Sequence, residues 1–209
     1  MHQTPLDLHA AVEVGRAHGF GRMALLGYSM GCTVCTNFLA NHDVPEMVGL
    51  CTIAHPESLP EALRLRWQRY GATPTYEEVA EYARPIVADD PDDPPGDRIF
   101  TVMRANGPLP TPENGEIWTY ATWWSSRGPE SPHAESRQQI GKVMVPIAIL
   151  QAGNDHLIQP GEGYELAHVA EQAGNPGVFL DMVPHADHVF TGCMDDVTDI
   201  AGRWLADLA

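Results

Sequence analysis

The sequence predicts an α/β fold, a parallel sheet of about four strands covered on both faces and interrupted by one long insertion. Four short apolar runs lack polar alternation: Arg22 to Tyr28, Val48 to Ala54, Val145 to Gln151 and Val178 to Val183. Continuous apolar runs of this length are what parallel strands buried on both faces require. Helical patterns alternate with these runs at both ends of the chain, which argues for a parallel sheet. Between His55 and Lys142 the character changes: proline and charge rise, and no buried strand stands out. The expected organisation is a core of residues 1–54 and 143–209 with an all-helical insertion over 55–142.

Each element has its own signal. Thr4-Pro5 supplies a capping hydroxyl and a first-turn proline, and Leu8, Ala11, Val14 and Ala17 form an apolar stripe that Gly19 ends. The first strand runs into Gly27-Tyr28-Ser29-Met30-Gly31, followed by a helical stretch to about Asn41. In the insertion, Thr75-Tyr76-Glu77-Glu78 is a capping box for a helix running to about Ala88. The acidic, proline-rich segment Ala88 to Asp97 lacks the Asp, Gly and Glu spacing of a calcium loop and reads as a solvated turn. Thr111-Pro112 starts another helix, carrying Trp118, Tyr120, Trp123 and Trp124. The third strand closes with Ala152-Gly153-Asn154-Asp155, and a helix over Gly163 to Ala173 stops at Gly174. Pro184-His185-Ala186-Asp187-His188 follows the fourth strand, and an amphipathic helix over about Val197 to Leu208 closes the chain.

Composition narrows the partners. The chain has 209 residues, with acidic residues outnumbering basic ones 28 to 12 for a formal charge of −16. Such a surface repels phosphate backbones and anionic membranes, so neither nucleic acid nor membrane is an expected partner. No apolar run is long enough to span a bilayer, and Met1 to Ala11 lacks the pattern of a signal peptide. Cys32, Cys35, Cys51 and Cys193 sit mostly in expected helix and strand. They read as buried thiols in a reducing, cytoplasmic compartment. Cys32 and Cys35 form a C-x-x-C, but no second pair completes a four-ligand metal set. No G-x-G-x-x-G or phosphate loop calls for a cofactor.

Gly27-x-Ser29-x-Gly31 is the chemistry-bearing motif. Between a strand and a helix, such a turn is strained and lifts the serine hydroxyl above the sheet, with glycines where bulkier residues would clash. The next amide, that of Met30, lies at the helix start and points at an oxyanion formed on attack. A serine nucleophile needs a base, and the base an orienting acid. Asp155 lies just beyond the third strand and His188 just beyond the fourth, on the edge they share with Ser29. His185 competes with His188 for the role of base. A metal held by His185, Asp187 and His188 lacks further ligands nearby. His55, after the second strand, is either a pocket-lining or a plain loop histidine.

ALLGYSMG, VPIAILQAGNDHLIQP and VPHADHVF resemble the nucleophile, acid and histidine segments of the α/β-hydrolase superfamily. The resemblance covers residues 1–54 and 143–209, with the insertion where that family carries a variable helical cap. It implies a partial α/β-hydrolase fold with Ser29, Asp155 and His188 as triad and the Met30 amide as oxyanion donor. It favours His188, because the family places its histidine before an apolar or aromatic residue, and Val189-Phe190 follow. Tyr28, Trp123 and Trp124 are the expected substrate contacts, although the tryptophans equally suit the cap's own core.

Family members place four strands and a further oxyanion-donating loop ahead of the elbow, which here comes at residue 29. The resemblance therefore implies a first strand with an open edge and only one recognisable oxyanion donor. It leaves three readings of that edge: pairing with a second copy, pairing with a partner chain, or a fragment of a longer protein. The expected activity is hydrolysis of a carboxylic ester or related small acyl substrate through an acyl-enzyme. The alternative is a catalytically weak homologue that works as a binding or assembly module.

Overall fold

A computed structural model describes residues 4–88, 98–106 and 115–208. The chain forms two compact units: Leu59–Ala134, and the segments before and after it. In the larger unit, helix α1 (Thr4–Ala17) leads to strand β1 (Met23–Tyr28), helix α2 (Met30–Asn41) and strand β2 (Met47–Ile53). The smaller unit holds α3 (Leu59–Arg69), β3 (Ala72–Thr73), α4 (Tyr76–Ala88), β4 (Ile99–Arg104), β5 (Gly115–Thr119) and α5 (Tyr120–Arg127). The larger unit resumes with the short α6 (Ser136–Gln139), then β6 (Ile147–Ala152), α7 (Pro160–Gln172), β7 (Val178–Val183) and α8 (Met194–Asp207).

The larger unit is a four-stranded, all-parallel sheet in the order β1-β2-β6-β7. Side chains alternate between its faces as the strand period demands. Leu50, Ile147 and Ile149 point into one apolar layer with Leu166 and Ala170 of α7 and Cys35 of α2. Cys51, Ile53 and Leu150 point into the other, against Val197 and Ala201 of α8. Phe38 and Val12 join α2 to α1. The central strands β2 and β6 are almost wholly buried, but β1 and β7 are not: Leu26 is 54% and Phe179 39% exposed. Those two strands are the sheet's edges, which a reading from apolar runs alone does not distinguish from its centre.

The insertion is smaller than expected and not all-helical. Residues 135–142 belong to the larger unit, where Ile140 packs with Ile147 and Leu166. In the smaller unit, β3, β4 and β5 form an antiparallel sheet. Its β4 alternates: Phe100 and Val102 turn inward while Ile99, Thr101 and Met103 face out. Trp118 lies on β5 opposite Phe100, and the helix bearing Trp123 and Trp124 begins only at Tyr120. Thr111-Pro112 and residues 89–97 of the acidic segment lie outside the described residues. The Thr75 capping box forms: its hydroxyl accepts from the Glu78 amide at 3.2 Å, and Glu78 accepts from the Thr75 amide at 2.8 Å. Helix α7 starts at Pro160, three residues before the expected Gly163, because Glu162 caps the Gln159 amide at 2.9 Å. Among the described residues, no helix is long and apolar enough to cross a membrane.

Candidate active site

Because all four strands of the larger sheet run parallel, their carboxyl ends share one edge. Tyr28 pairs with Ile53, and Ala152 with Val183. The loops after β1, β2, β6 and β7 therefore open side by side. Three non-glycine residues with positive φ follow three of these ends: Ser29 (52°), Ala54 (52°) and Phe190 (55°). Such backbone costs about 1–3 kcal/mol per residue and persists where the surroundings impose it.

At Ser29 the surroundings are visible. The Ser29 amide donates to Ile53 O at 2.8 Å, and the Cys32 amide to Ser29 O at 2.9 Å. A side chain on Gly27 would strike the Cys32 backbone at 2.7 Å, so only glycine lets β1 and α2 approach this closely. Gly31 differs from the expectation: a Cβ there would meet nothing within 4 Å. The steric demand of the motif rests on its first glycine. Met30 opens α2, so its amide lies in the first turn, where helix N–H groups point outward.

The structure brings together Ser29, His188 and Asp155. His188 Nε2 lies 3.0 Å from Ser29 Oγ, and His188 Nδ1 lies 2.8 Å from Asp155 Oδ2. The Asp155 side chain is 1% exposed. Its other oxygen, Oδ1, accepts from the amides of Leu157 at 2.7 Å and Ile158 at 3.0 Å. A carboxylate only accepts, so the Asp155 contact fixes the neutral imidazole proton on Nδ1. The Nε2 lone pair is left facing the serine hydroxyl.

The acid and histidine turns are zipped together. The Gly153 amide donates to Val183 O and the Asn154 amide to Ala186 O, both at 2.9 Å. At Gly153 a Cβ would sit 2.5 Å from Pro184 O. Sequence reading passed over Gly153 as part of a turn signal; its role appears only once the two turns are side by side. Asp187, a candidate in the discarded metal set, instead accepts from the Thr191 amide and hydroxyl at 2.9 and 2.8 Å.

Of the remaining candidates, Tyr28 lies beside the three side chains. Tyr28 is partly exposed, and its hydroxyl donates to His188 O at 2.8 Å. Trp123 is fully buried in the smaller unit, packed among Trp67, Tyr76, Phe100 and Trp124. It is therefore core, not a surface for ligand. Trp124 packs on it and lies under the Arg84 guanidinium, 5.8 Å from the ring centre. His55 is fully buried, and its backbone is clasped by Gln151, which accepts from the His55 amide at 3.2 Å and donates to its carbonyl at 3.0 Å. Burial pushes the His55 imidazole down from 6.5 to about 3. Cys32 is buried and donates its thiol to Ile53 O at 3.2 Å, and all four cysteines are free thiols. Burial raises Cys32, Cys35 and Cys51 above the ordinary thiol range, so these three stay protonated and inert.

No protein-family profile matches the chain, and no curated protein matches it by sequence. Solved structures do. An esterase from Pyrococcus furiosus is similar at 17% identity with a TM-score of 0.63, over 98% of this chain and 62% of that one. The esterase domain of a Rhodothermus marinus protein is similar at 16% identity with a TM-score of 0.54, over 95% of this chain and 66% of that one. An enol-lactonase from Burkholderia xenovorans is similar at 14% identity with a TM-score of 0.52, over 94% of this chain and 70% of that one. The chain thus spans less than two thirds of the length of either esterase. At these identities the likeness is one of fold: the chain carries the α/β-hydrolase fold.

Proposed function

We propose that this protein is a serine hydrolase that cleaves a carboxylic ester or related acyl compound through an acyl-enzyme. One observation carries the reading: the unbroken relay from Ser29 Oγ to His188 Nε2 and from His188 Nδ1 to Asp155, at 3.0 and 2.8 Å. The strained serine in the elbow and the fold shared with two esterases and a lactonase support it.

In this reading Ser29 Oγ attacks the acyl carbon while its proton passes to His188 Nε2. Asp155 stabilises the imidazolium without taking the proton. The Met30 amide donates to the oxyanion. The tetrahedral adduct collapses as Nε2 returns the proton to the leaving alcohol, leaving the acyl group on Ser29. Water then attacks with His188 as general base, and the carboxylic acid departs. A single oxyanion donor is worth roughly 3–4 kcal/mol, or a hundred- to a thousandfold in rate. Turnover therefore depends strongly on whether a second donor joins Met30.

Mixing the protein with excess p-nitrophenyl butyrate tests this. We expect a burst of nitrophenolate stoichiometric with protein, and a butyryl adduct on the Ser29 peptide by mass spectrometry. A folded protein that gives neither burst nor adduct returns the account to a binding or assembly module.

A further inference from the structure

We infer that Tyr28 is a positioning residue for His188, acting through its hydroxyl on the His188 main chain; this rests on the serine hydrolase reading. The elbow and the histidine loop reach one another from opposite ends of the chain, and the Tyr28 hydroxyl spans the gap. It donates to His188 O at 2.8 Å across 160 positions of sequence. The phenol ring also lies against the imidazole, with centroids 5.6 Å apart.

The two ends of this bond differ in how they are held. Tyr28 closes β1 in register with Ile53, and the next amide, Ser29 N, is bonded to Ile53 O. Gly27 behind it is packed on the backbone of Cys32. The donor therefore stands on fixed backbone. The loop around His188 is bonded to itself and to the acid turn: Ala186 N to Val183 O, Phe190 N to Asp187 O, Thr191 to Asp187, and Asn154 N to Ala186 O. None of those bonds ties the His188 main chain to the elbow.

Proton transfer between Ser29 Oγ and Nε2 depends on their 3.0 Å separation, and small displacements of a reacting group are costly. A hydroxyl on the residue beside the nucleophile, gripping the carbonyl of the base, sets that separation directly. Asp155 orients the ring; Tyr28 places the backbone that carries it. Burial and the nearby Asp155 carboxylate push the Tyr28 phenol up, which keeps it an O–H donor at neutral pH. Phenylalanine would keep the ring contact and lose the grip.

The test is Tyr28→Phe, with Ser29→Ala as the blank. Three quantities are read: the second-order rate of Ser29 phosphonylation by a fluorophosphonate, kcat and KM on p-nitrophenyl butyrate, and the downfield Nδ1–H proton resonance of His188. We expect phosphonylation and kcat to fall about tenfold, the worth of one lost hydrogen bond at the transition state. KM should stay unchanged, and the Nδ1–H resonance should broaden through faster exchange. A raised KM with kcat unchanged would make Tyr28 a substrate contact and overturn the inference. Unchanged rates with an unchanged resonance would overturn it too, while leaving the hydrolase reading intact. Folded wild-type protein that takes no label would remove the hydrolase reading, and the role of Tyr28 with it.

Discussion

At the scale of the residue, Ser29 holds a conformation that its side chain disfavours. Its φ of 52° and ψ of −121° suit glycine better than any residue with a Cβ. Ser29→Gly should therefore be more stable than Ser29→Ala by about 1 kcal/mol in urea unfolding, though neither variant would be active. Equal stabilities would mean the elbow is not strained. His55 makes a second residue-scale prediction. Unfolded, its imidazole titrates near 6.5; folded, it stays neutral down to about 3. Between those values the unfolded chain holds a proton that the folded chain does not. Stability is full above pH 6.5 and falls as the pH drops, by about 1.4 kcal/mol per pH unit from this group. From pH 7 to pH 5, wild type should lose about 2 kcal/mol more than His55→Gln. Parallel losses in the two proteins would show that His55 is not buried neutral. Ser29, Asp155 and His188 were legible as residues because each follows an apolar run. The burial of His55 and the reach of Tyr28 were not, since both depend on partners roughly a hundred or more positions away.

At the scale of the element, the carboxyl ends of four parallel strands do the assembling. The β6 and β7 turns carry Asp155 and His188, and Gly153 lets the two turns touch. Gly153→Ala should force them apart, since a Cβ would sit 2.5 Å from a backbone oxygen that cannot swing away as a side chain would. We expect at least a tenfold slower phosphonylation of Ser29 in a protein that still folds; a rate equal to wild type would mean the turns can shift without consequence. The strands of the larger sheet were legible to within two residues at each end, because continuous apolar runs are a strong signal. Those of the smaller unit were not. Ile99–Arg104 alternates inward and outward, with an inward arginine, and Gly115–Thr119 begins with Gly and Glu. Antiparallel strands with one solvated face read this way, and a search for apolar runs passes over them. The expected helix from Thr111 placed Trp118 on the wrong element for the same reason.

At the scale of the molecule, β1 ends the sheet with its outer edge paired to no strand among the described residues. Leu26 on that strand and Phe20 just before it are 54% and 60% exposed. An edge of this kind is a template for pairing, and we expect this 209-residue chain to associate through it. The formal charge of −16 opposes association, so added salt should favour it. Leu26→Lys should reduce the associated fraction in light scattering with the fold unchanged by circular dichroism. A wild type that stays monomeric at high concentration and high salt would remove this expectation. The parallel sheet and the order of its strands along the chain were legible from sequence. The sheet's edges and the boundary at Leu59–Ala134 were not, because apolar runs give strands without their lateral order. Whether the three side chains act as one nucleophilic relay is decided by fluorophosphonate labelling. Stoichiometric label is expected on Ser29, lost in Ser29→Ala and in His188→Ala but kept in His185→Ala. Label that survives His188→Ala, or a folded wild-type protein that takes none, would contradict it.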